Sequence, residues 1–210
     1  ALADACLTRA APFCFKPGLC EQEDLDARAL HAALGEHTGG LALRPHYDLA
    51  TLEWLLAQVT AKKRHGRIQA RLVRDPDGRV AGWFLYYLNP GMSRVVQLAA
   101  RTDRVRVVLE HLFQHASERG TLALEGRMDP RFASELGAMH CFFHAGGEST
   151  LLHARDPSVV APLLRDDAFF TRMEGEWWLR FHGEPETPSE RVPLEPDKPP
   201  PALNDLTVPT

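Results

Sequence analysis

The sequence predicts an α/β domain built on one mixed sheet, and three stretches carry that prediction. Residues 67–99 read as three strands joined by tight turns. Residues 104–140 read as helix, strand, helix, and residues 23–62 read as two helices placed ahead of the strands. A meander followed by a crossover through a helix is an α/β order, but it is not the regular strand–helix alternation of a Rossmann domain.

The Ala-rich residues 1–17 close on Pro17 and read as a linker to a domain spanning 18–182. A short first strand is expected over 19–22. A helix over 23–36 follows, with Leu25, Ala29, Leu30, Ala33 and Leu34 at helical spacing, Asp24 or Asp26 in its first turn and Gly39-Gly40 at its end. Arg44-Pro45-His46-Tyr47 is a loop. Asp48 then suits the N-cap of a helix over 49–62, whose Leu52, Leu55, Leu56 and Val59 share one face. The basic cluster Lys62-Lys63-Arg64-His65 falls at that helix's C-terminal end, where positive charge complements the dipole, and reads as a solvated end.

The strands open with the alternation Ile68, Ala70, Leu72. In Asp75-Pro76-Asp77-Gly78 proline sets φ and glycine supplies a left-handed position, so the chain turns back. Residues 80–88 are apolar on both faces, as a central strand must be, and Trp83, Tyr86 and Tyr87 within them read as packing. Asn89-Pro90-Gly91 leads to a third strand over 93–99. Val105, Val108, Leu109, Leu112 and Ala116 line one side of a helix over 104–119, with Asp103 as its expected N-cap and Gly120 as its stop. A strand over 121–125 comes next, then a helix to His140 opened by Asp129 and Pro130, then two short strands ending by His153. Asp156-Pro157 repeats the opening device for a helix over 158–165. The stretch 168–181 ends in Trp177-Trp178, whose rings on opposite strand faces offer one to a neighbouring domain.

Composition changes after Phe181. Half of the sixteen prolines lie in 183–210, aromatic residues stop and acidic residues outnumber basic ones, so this tail is expected to stay disordered or extended. Over the whole chain of 210 residues, 44% hydrophobic and 25% charged content is ordinary for a soluble globular protein, and the length suffices for a real core. A net charge of -4 gives no electrostatic argument for nucleic acid or a membrane surface as a partner, and none is expected. No apolar run reaches the ~20 residues of a membrane span. The opening lacks a basic segment followed by an apolar one, so no secretory signal is expected, and a start at Ala1 suits a piece of a longer chain. Cys6, Cys14, Cys20 and Cys141 form no Cys-x-x-Cys pair, which favours free thiols in a reducing cytoplasm over a metal site. His111 and His115 lie four apart on one helix, without a His-Glu-x-x-His or a third ligand nearby.

The order strand, helix, helix, three strands, helix, strand, helix, two strands resembles the GNAT (GCN5-related N-acetyltransferase) fold. The phrase from Val108 to Gly120, Val-Leu-Glu-His-Leu-Phe-Gln-His-Ala-Ser-Glu-Arg-Gly, is similar to the third helix of that family, which carries an acidic, apolar rhythm and ends at a glycine before a strand. The resemblance covers about two thirds of the chain. It implies transfer of an acetyl or other acyl group from acyl-CoA to an amine-bearing substrate. The cofactor is expected along the fourth strand and the turn after it, at Gln97, Leu98, Ala99, Arg101, Thr102, Arg104 and Arg106. There the family holds a pyrophosphate on backbone amides of a glycine-rich loop, where helix N–H groups and dipole favour an anion. This chain departs from that pattern: Ala100 replaces the first basic or amide residue, and Asp103 and Val105 fall where the glycines belong. Like charges ~4 Å apart near a protein surface repel by about 4 kcal/mol, so Asp103 opposes a pyrophosphate while the three arginines favour it. The helix 131–140 has no tyrosine to serve as an acid. Glu125 is then the first candidate for general base, paired in the alternative with Arg127, and His144 and Cys141 follow. The resemblance also admits a second reading. Some bacterial acyltransferases carry tandem GNAT-like halves, and a half without its glycine loop would bind a partner domain, an upstream GNAT-like half or a second copy, or position a substrate.

Overall fold

The computed structural model describes residues 20–144 and 153–174. The expected linker 1–17, most of the closing hairpin, the Trp177-Trp178 strand and the tail 183–210 lie outside the described residues.

Five strands run in the order in which the chain makes them: β1 (Glu21–Asp24), β2 (Arg67–Arg74), β3 (Val80–Leu88), β4 (Met92–Ala100) and β5 (Ala123–Glu125). The first four are antiparallel neighbours, and β5 lies parallel to β4. Between β1 and β2 stand helices α1 (Ala27–Thr38) and α2 (Leu49–Ala61). Between β4 and β5 stands α3 (Val105–Ser117), and short helices α4 (Ala133–Ala138) and α5 (Ala161–Leu164) follow. The order expected from the GNAT resemblance therefore holds from the first strand through the fourth helix, and the fold is GNAT-like.

Local chemistry explains the element ends. The Asp26 carboxylate accepts from Ala29 N at 2.8 Å and Asp48 from Thr51 N at 2.7 Å, each satisfying one orphan donor of a first turn. The β2–β3 turn is closed by Asp75 N donating to Arg79 O and Gly78 N to Asp75 O, with Gly78 at φ 79°. Gly66 enters β2 at φ 110°, where a Cβ would lie 2.2 Å from Leu88 O.

The sheet is covered on both faces. Leu30, Leu34, Leu52, Leu55 and Val59 of α1 and α2 pack on Leu72, Trp83, Leu85 and Tyr87. Val108, Leu112 and Ala116 of α3 pack on Val73, Ala81, Phe84 and Tyr86 of the other face. Gly82 lets α3 sit this close, because a Cβ there would come within 2.3 Å of Ala99 O and 2.8 Å of Val108 Cγ2. The polar ends of the buried aromatics are satisfied: Tyr87 Oη donates to Val59 O and Trp83 Nε1 to Gln97 Oε1. His115 accepts from Arg71 Nε through Nε2, which leaves its proton on Nδ1 to donate to Tyr86 Oη at 2.8 Å. His111 Nδ1 instead accepts from Gln22 Nε2 at 2.6 Å, so each of the two helix histidines belongs to a different contact.

Five expectations are corrected. The first strand runs to Asp24, past the expected end at residue 22, and β5 keeps only three residues of the expected 121–125. Asp103 is not the cap of α3: a 3-10 turn, Thr102–Arg104, precedes the helix, and the cap position falls on Arg104 with no side-chain bond. The helix expected to run to His140 is a 3-10 turn, Pro130–Phe132, followed by six residues of α4. The helix over 158–165 divides in the same way, because proline at the opening favours a tight first turn.

Two irregularities shape one end of the sheet. The β3–β4 register shifts between Leu85, opposite Gln97, and Tyr86, opposite Val95, so Val96 is an extra residue that bends β4. And β5 pairs with β4 only at Met92, Ser93 and Arg94. Past Arg94, β4 has no strand partner on that side among the described residues.

Candidate functional site

The unpaired half of β4 runs to Ala100 and turns through Arg101–Arg104 into α3. A cleft of about 610 Å³ opens at that turn, between the end of α1 (Glu36, His37), Ala100 to Asp103, and Arg131 and Phe132 before α4. The resemblance placed the cofactor around this corner. Arg101 and Thr102 line the cleft; Gln97, Leu98, Ala99, Arg104 and Arg106 do not.

The arginines are committed elsewhere. The side chain of Asp75, 3% exposed, reaches from the β2–β3 turn to both of them, with Oδ2 2.8 Å from Arg101 Nη2 and Oδ1 2.8 Å from Arg104 Nε. Asp103 adds a second carboxylate, 3.2 Å from Arg101 Nε and 3.3 Å from Arg104 Nη1. Burial alone would raise the Asp75 carboxyl; the hydrogen bonds from Arg104, Cys20 and Arg101 outweigh it and hold the group below its usual value. Arg106 turns to Glu110 at 3.0 Å and Glu135 at 3.9 Å. The two cations facing the corner are thus matched by two carboxylates.

The other expected residues divide. Gln97 is buried on the α1–α2 face, where Nε2 donates to Thr171 Oγ1 at 3.4 Å. Leu98 faces α3, and Ala99 faces α1 and α2. Glu125 pairs with Arg94 at 2.7 Å and Arg172 at 3.5 Å, whereas Arg127 lies over the Phe170 ring. His144 is exposed at the end of the described segment. The Cys141 thiol is part-buried, and burial raises it.

A second constellation was not read from the sequence. The segment after α5 returns to the sheet: Leu43 N donates to Asp167 O, Phe169 N donates to Leu43 O, and a bridge joins Leu43 to Ala168. It ends in a 3-10 turn, Arg172–Glu174, beside β4. There Glu174 Oε1 accepts from Tyr47 Oη at 2.9 Å, and Oε2 accepts from both Thr171 N and Thr171 Oγ1 at 2.5 Å. Burial pushes the Glu174 carboxyl up despite these donors, and burial followed by the Glu174 charge pushes the Tyr47 phenol up. The one sequence signal was Tyr47, an amphipathic ring in an otherwise polar loop.

The residues fit one part of an acyl-CoA better than the other. An unpaired, bulged strand edge suits an extended chain bearing amides, which can add to it as a strand does. The turn suits a pyrophosphate poorly: no residue from Arg101 to Val105 is a glycine, and Asp103 bonds to Arg101.

No family model matches this chain, and no curated protein matches it. Solved structures similar to it include a glucosamine-6-phosphate N-acetyltransferase from Arabidopsis thaliana, at 9% identity over 65% of this chain and 100% of that one, with a TM-score of 0.48. An acetyltransferase from Trypanosoma brucei is 13% identical over 64% of this chain and 99% of its own, with a TM-score of 0.43. A ribosomal-protein-alanine N-acetyltransferase from Brucella melitensis is 17% identical over 64% of this chain and 98% of its own, with a TM-score of 0.43. The GNAT-like fold itself is carried by the strand order and register. No helix among the described residues is long and apolar enough to cross a membrane.

Proposed function

We propose that this domain is an N-acyltransferase that moves an acetyl or other acyl group from acyl-CoA to an amine. The observation that supports the reading is the half-paired β4: β5 leaves it after Arg94, and the freed edge leads to the 610 Å³ cleft at the start of α3. A bound acyl-CoA would supply an activated thioester carbonyl. The chain's own part is to hold the amide-bearing arm along 95–100, to meet the phosphates with Arg101, Thr102 and the α3 N-terminus, and to take a proton from the incoming amine. Glu125 and His144 are the base candidates. Glu125 is tied to two arginines, which favours a positioning role and leaves His144 as the base candidate without such a tie in the described contacts. We place the protein in the cytoplasm on its cysteine usage.

A second reading has its own support. Asp75 and Asp103 match the charges of Arg101 and Arg104, which leaves little for an anion, so a domain that docks a partner or a second GNAT-like half is the alternative. Calorimetric titration with acetyl-CoA and longer acyl-CoAs separates the two. Micromolar, saturable binding, weakened tenfold or more by Thr102→Glu without loss of thermal stability, supports acyl transfer. Absence of binding at millimolar CoA overturns it in favour of the docking domain.

A further inference from the structure

We propose that the basic end of α2 is a docking surface for this chain's own acidic tail, residues 183–210. The surface is made by Lys63 and Arg64, in the 3-10 turn Lys63–His65 that follows α2, and by Arg67 at the start of β2. All three are exposed.

The argument begins with how positive charge is matched elsewhere in the sheet. Arg71, Arg74, Arg79, Arg94, Arg101 and Arg104 each meet a carboxylate at hydrogen-bond distance. Lys63, Arg64 and Arg67 meet none among the described residues, and Arg64 Nε donates to the neighbouring His65 Nε2 at 3.1 Å. The sequence supplies no local partner either: residues 54–74 contain no aspartate or glutamate.

The backbone concentrates the cluster. A 3-10 turn advances about 2 Å per residue, so Lys63 and Arg64 start from neighbouring points, and Gly66 at φ 110° leads directly to Arg67. The C-terminus of a helix complements about half a positive charge. Three exposed cations bring more than that, and the surplus is a surface that attracts anions.

The tail is the matching anion. It holds Glu184, Glu186, Glu190, Glu195, Asp197 and Asp205 against Arg191 and Lys198. That excess equals the net charge of -4 of the whole chain, so residues 1–182 are neutral overall. Eight prolines restrict the tail's backbone, which lowers the entropy lost when it is held.

Reach permits the contact. The hydrogen bond from Tyr47 to Glu174 fixes the last described residue beside the start of α2, and the thirteen residues of α2 rise about 20 Å to the cluster. Gly183 lies nine residues beyond Glu174, and nine extended residues span about 30 Å. A short flexible tether gives an effective concentration in the millimolar range, so the individual ion pairs can be weak. The tail of a second copy would need protein at a similar concentration to compete. The contact does not depend on acyl transfer.

The test uses the full chain. A carbodiimide, which couples an ammonium to a carboxylate in contact with it, is applied at low salt and at about 1 M salt, where the screening length is about 3 Å. The monomer is then digested and read by mass spectrometry. A link from Lys62 or Lys63 to a tail carboxylate of the same chain, lost at high salt, supports the proposal. Absence of that link overturns it, and links found only between chains overturn it in favour of a second copy. A second measurement changes the six tail acids to their amides. The backbone resonances of Lys63, Arg64 and Arg67 should move, and affinity for duplex DNA, used as a polyanion probe, should rise at least tenfold. Adding Lys63→Gln, Arg64→Gln and Arg67→Gln should remove the gain. Unmoved resonances, unchanged DNA affinity, or a gain that survives the added substitutions overturns the proposal.

Discussion

The two cavities beside β4 are built on opposite electrostatic plans. At the larger one, Arg101 and Arg104 meet Asp75 and Asp103, and the charges close on one another. At the smaller one, between the 43–47 loop and the 169–174 segment, the Glu174 carboxyl receives only neutral donors, and burial favours its protonated form. The difference teaches that charge density alone does not locate a ligand site. A matched quartet of charges closes on itself as a strut, whereas a buried carboxyl met only by neutral donors is held by hydrogen bonds.

The largest effect should come from opening the quartet. Asp75→Asn leaves two guanidinium groups facing one exposed carboxylate and should cost about 2–3 kcal/mol, below the full penalty for a broken buried pair because both arginines reach solvent. Urea unfolding measures it; a loss under about 1 kcal/mol would show that Asp103 satisfies both arginines alone. If the strut is what blocks an anion, the same variant should bind acyl-CoA more tightly.

Cutting the donor chain comes next. Gln97→Leu strands the Trp83 indole N–H and should cost about 1–2 kcal/mol. It should also move the carboxyl resonance of Glu174, which Gln97 reaches only through Thr171, so a fixed resonance would dissolve the chain as a unit.

Titration sharpens the contrast further. The Glu174 carboxyl stands above the usual 4.5, so the folded state keeps a proton that the unfolded chain has lost. Its stability contribution is complete below that value and is lost as pH rises through the folded one. Asp75 stands below the usual 3.8, so its contribution is present above that value and is lost as pH falls through the folded one. Carboxyl NMR should therefore show Glu174 titrating well before Asp75 on acidification, and the reverse order would refute the plan drawn here. The smallest effect belongs to Asp103→Ala, which removes an exposed carboxylate and should leave stability unchanged within error while raising the affinity of the cleft for inorganic pyrophosphate.

Much of the scaffold could be read from residues alone. The bounds of β3 coincide with the apolar run 80–88, because a strand covered on both faces needs no alternation, and Asp48 caps α2 as expected. The sites were harder. Asp75 reads as a turn residue, and nothing local reveals that its side chain turns inward to Arg101 and Arg104, 26 and 29 residues further along the chain. Glu174 follows a stretch without periodicity, and its partner Tyr47 comes from a loop far upstream. The Val96 bulge depends on how two strands settle, not on either sequence by itself. What escaped was in each case a relation between distant residues.

The joint between Leu43 and residues 167–169 has a consequence for timing. β2, β3 and β4 follow one another directly and can zip early, whereas the final segment must await a loop closure spanning most of the chain. It should then be among the last pieces to dock and the first to detach, with the amide protons of Leu43 and Phe169 exchanging with solvent deuterium well before those of β3. A pocket built on such a joint can open locally while the sheet beneath it stays closed.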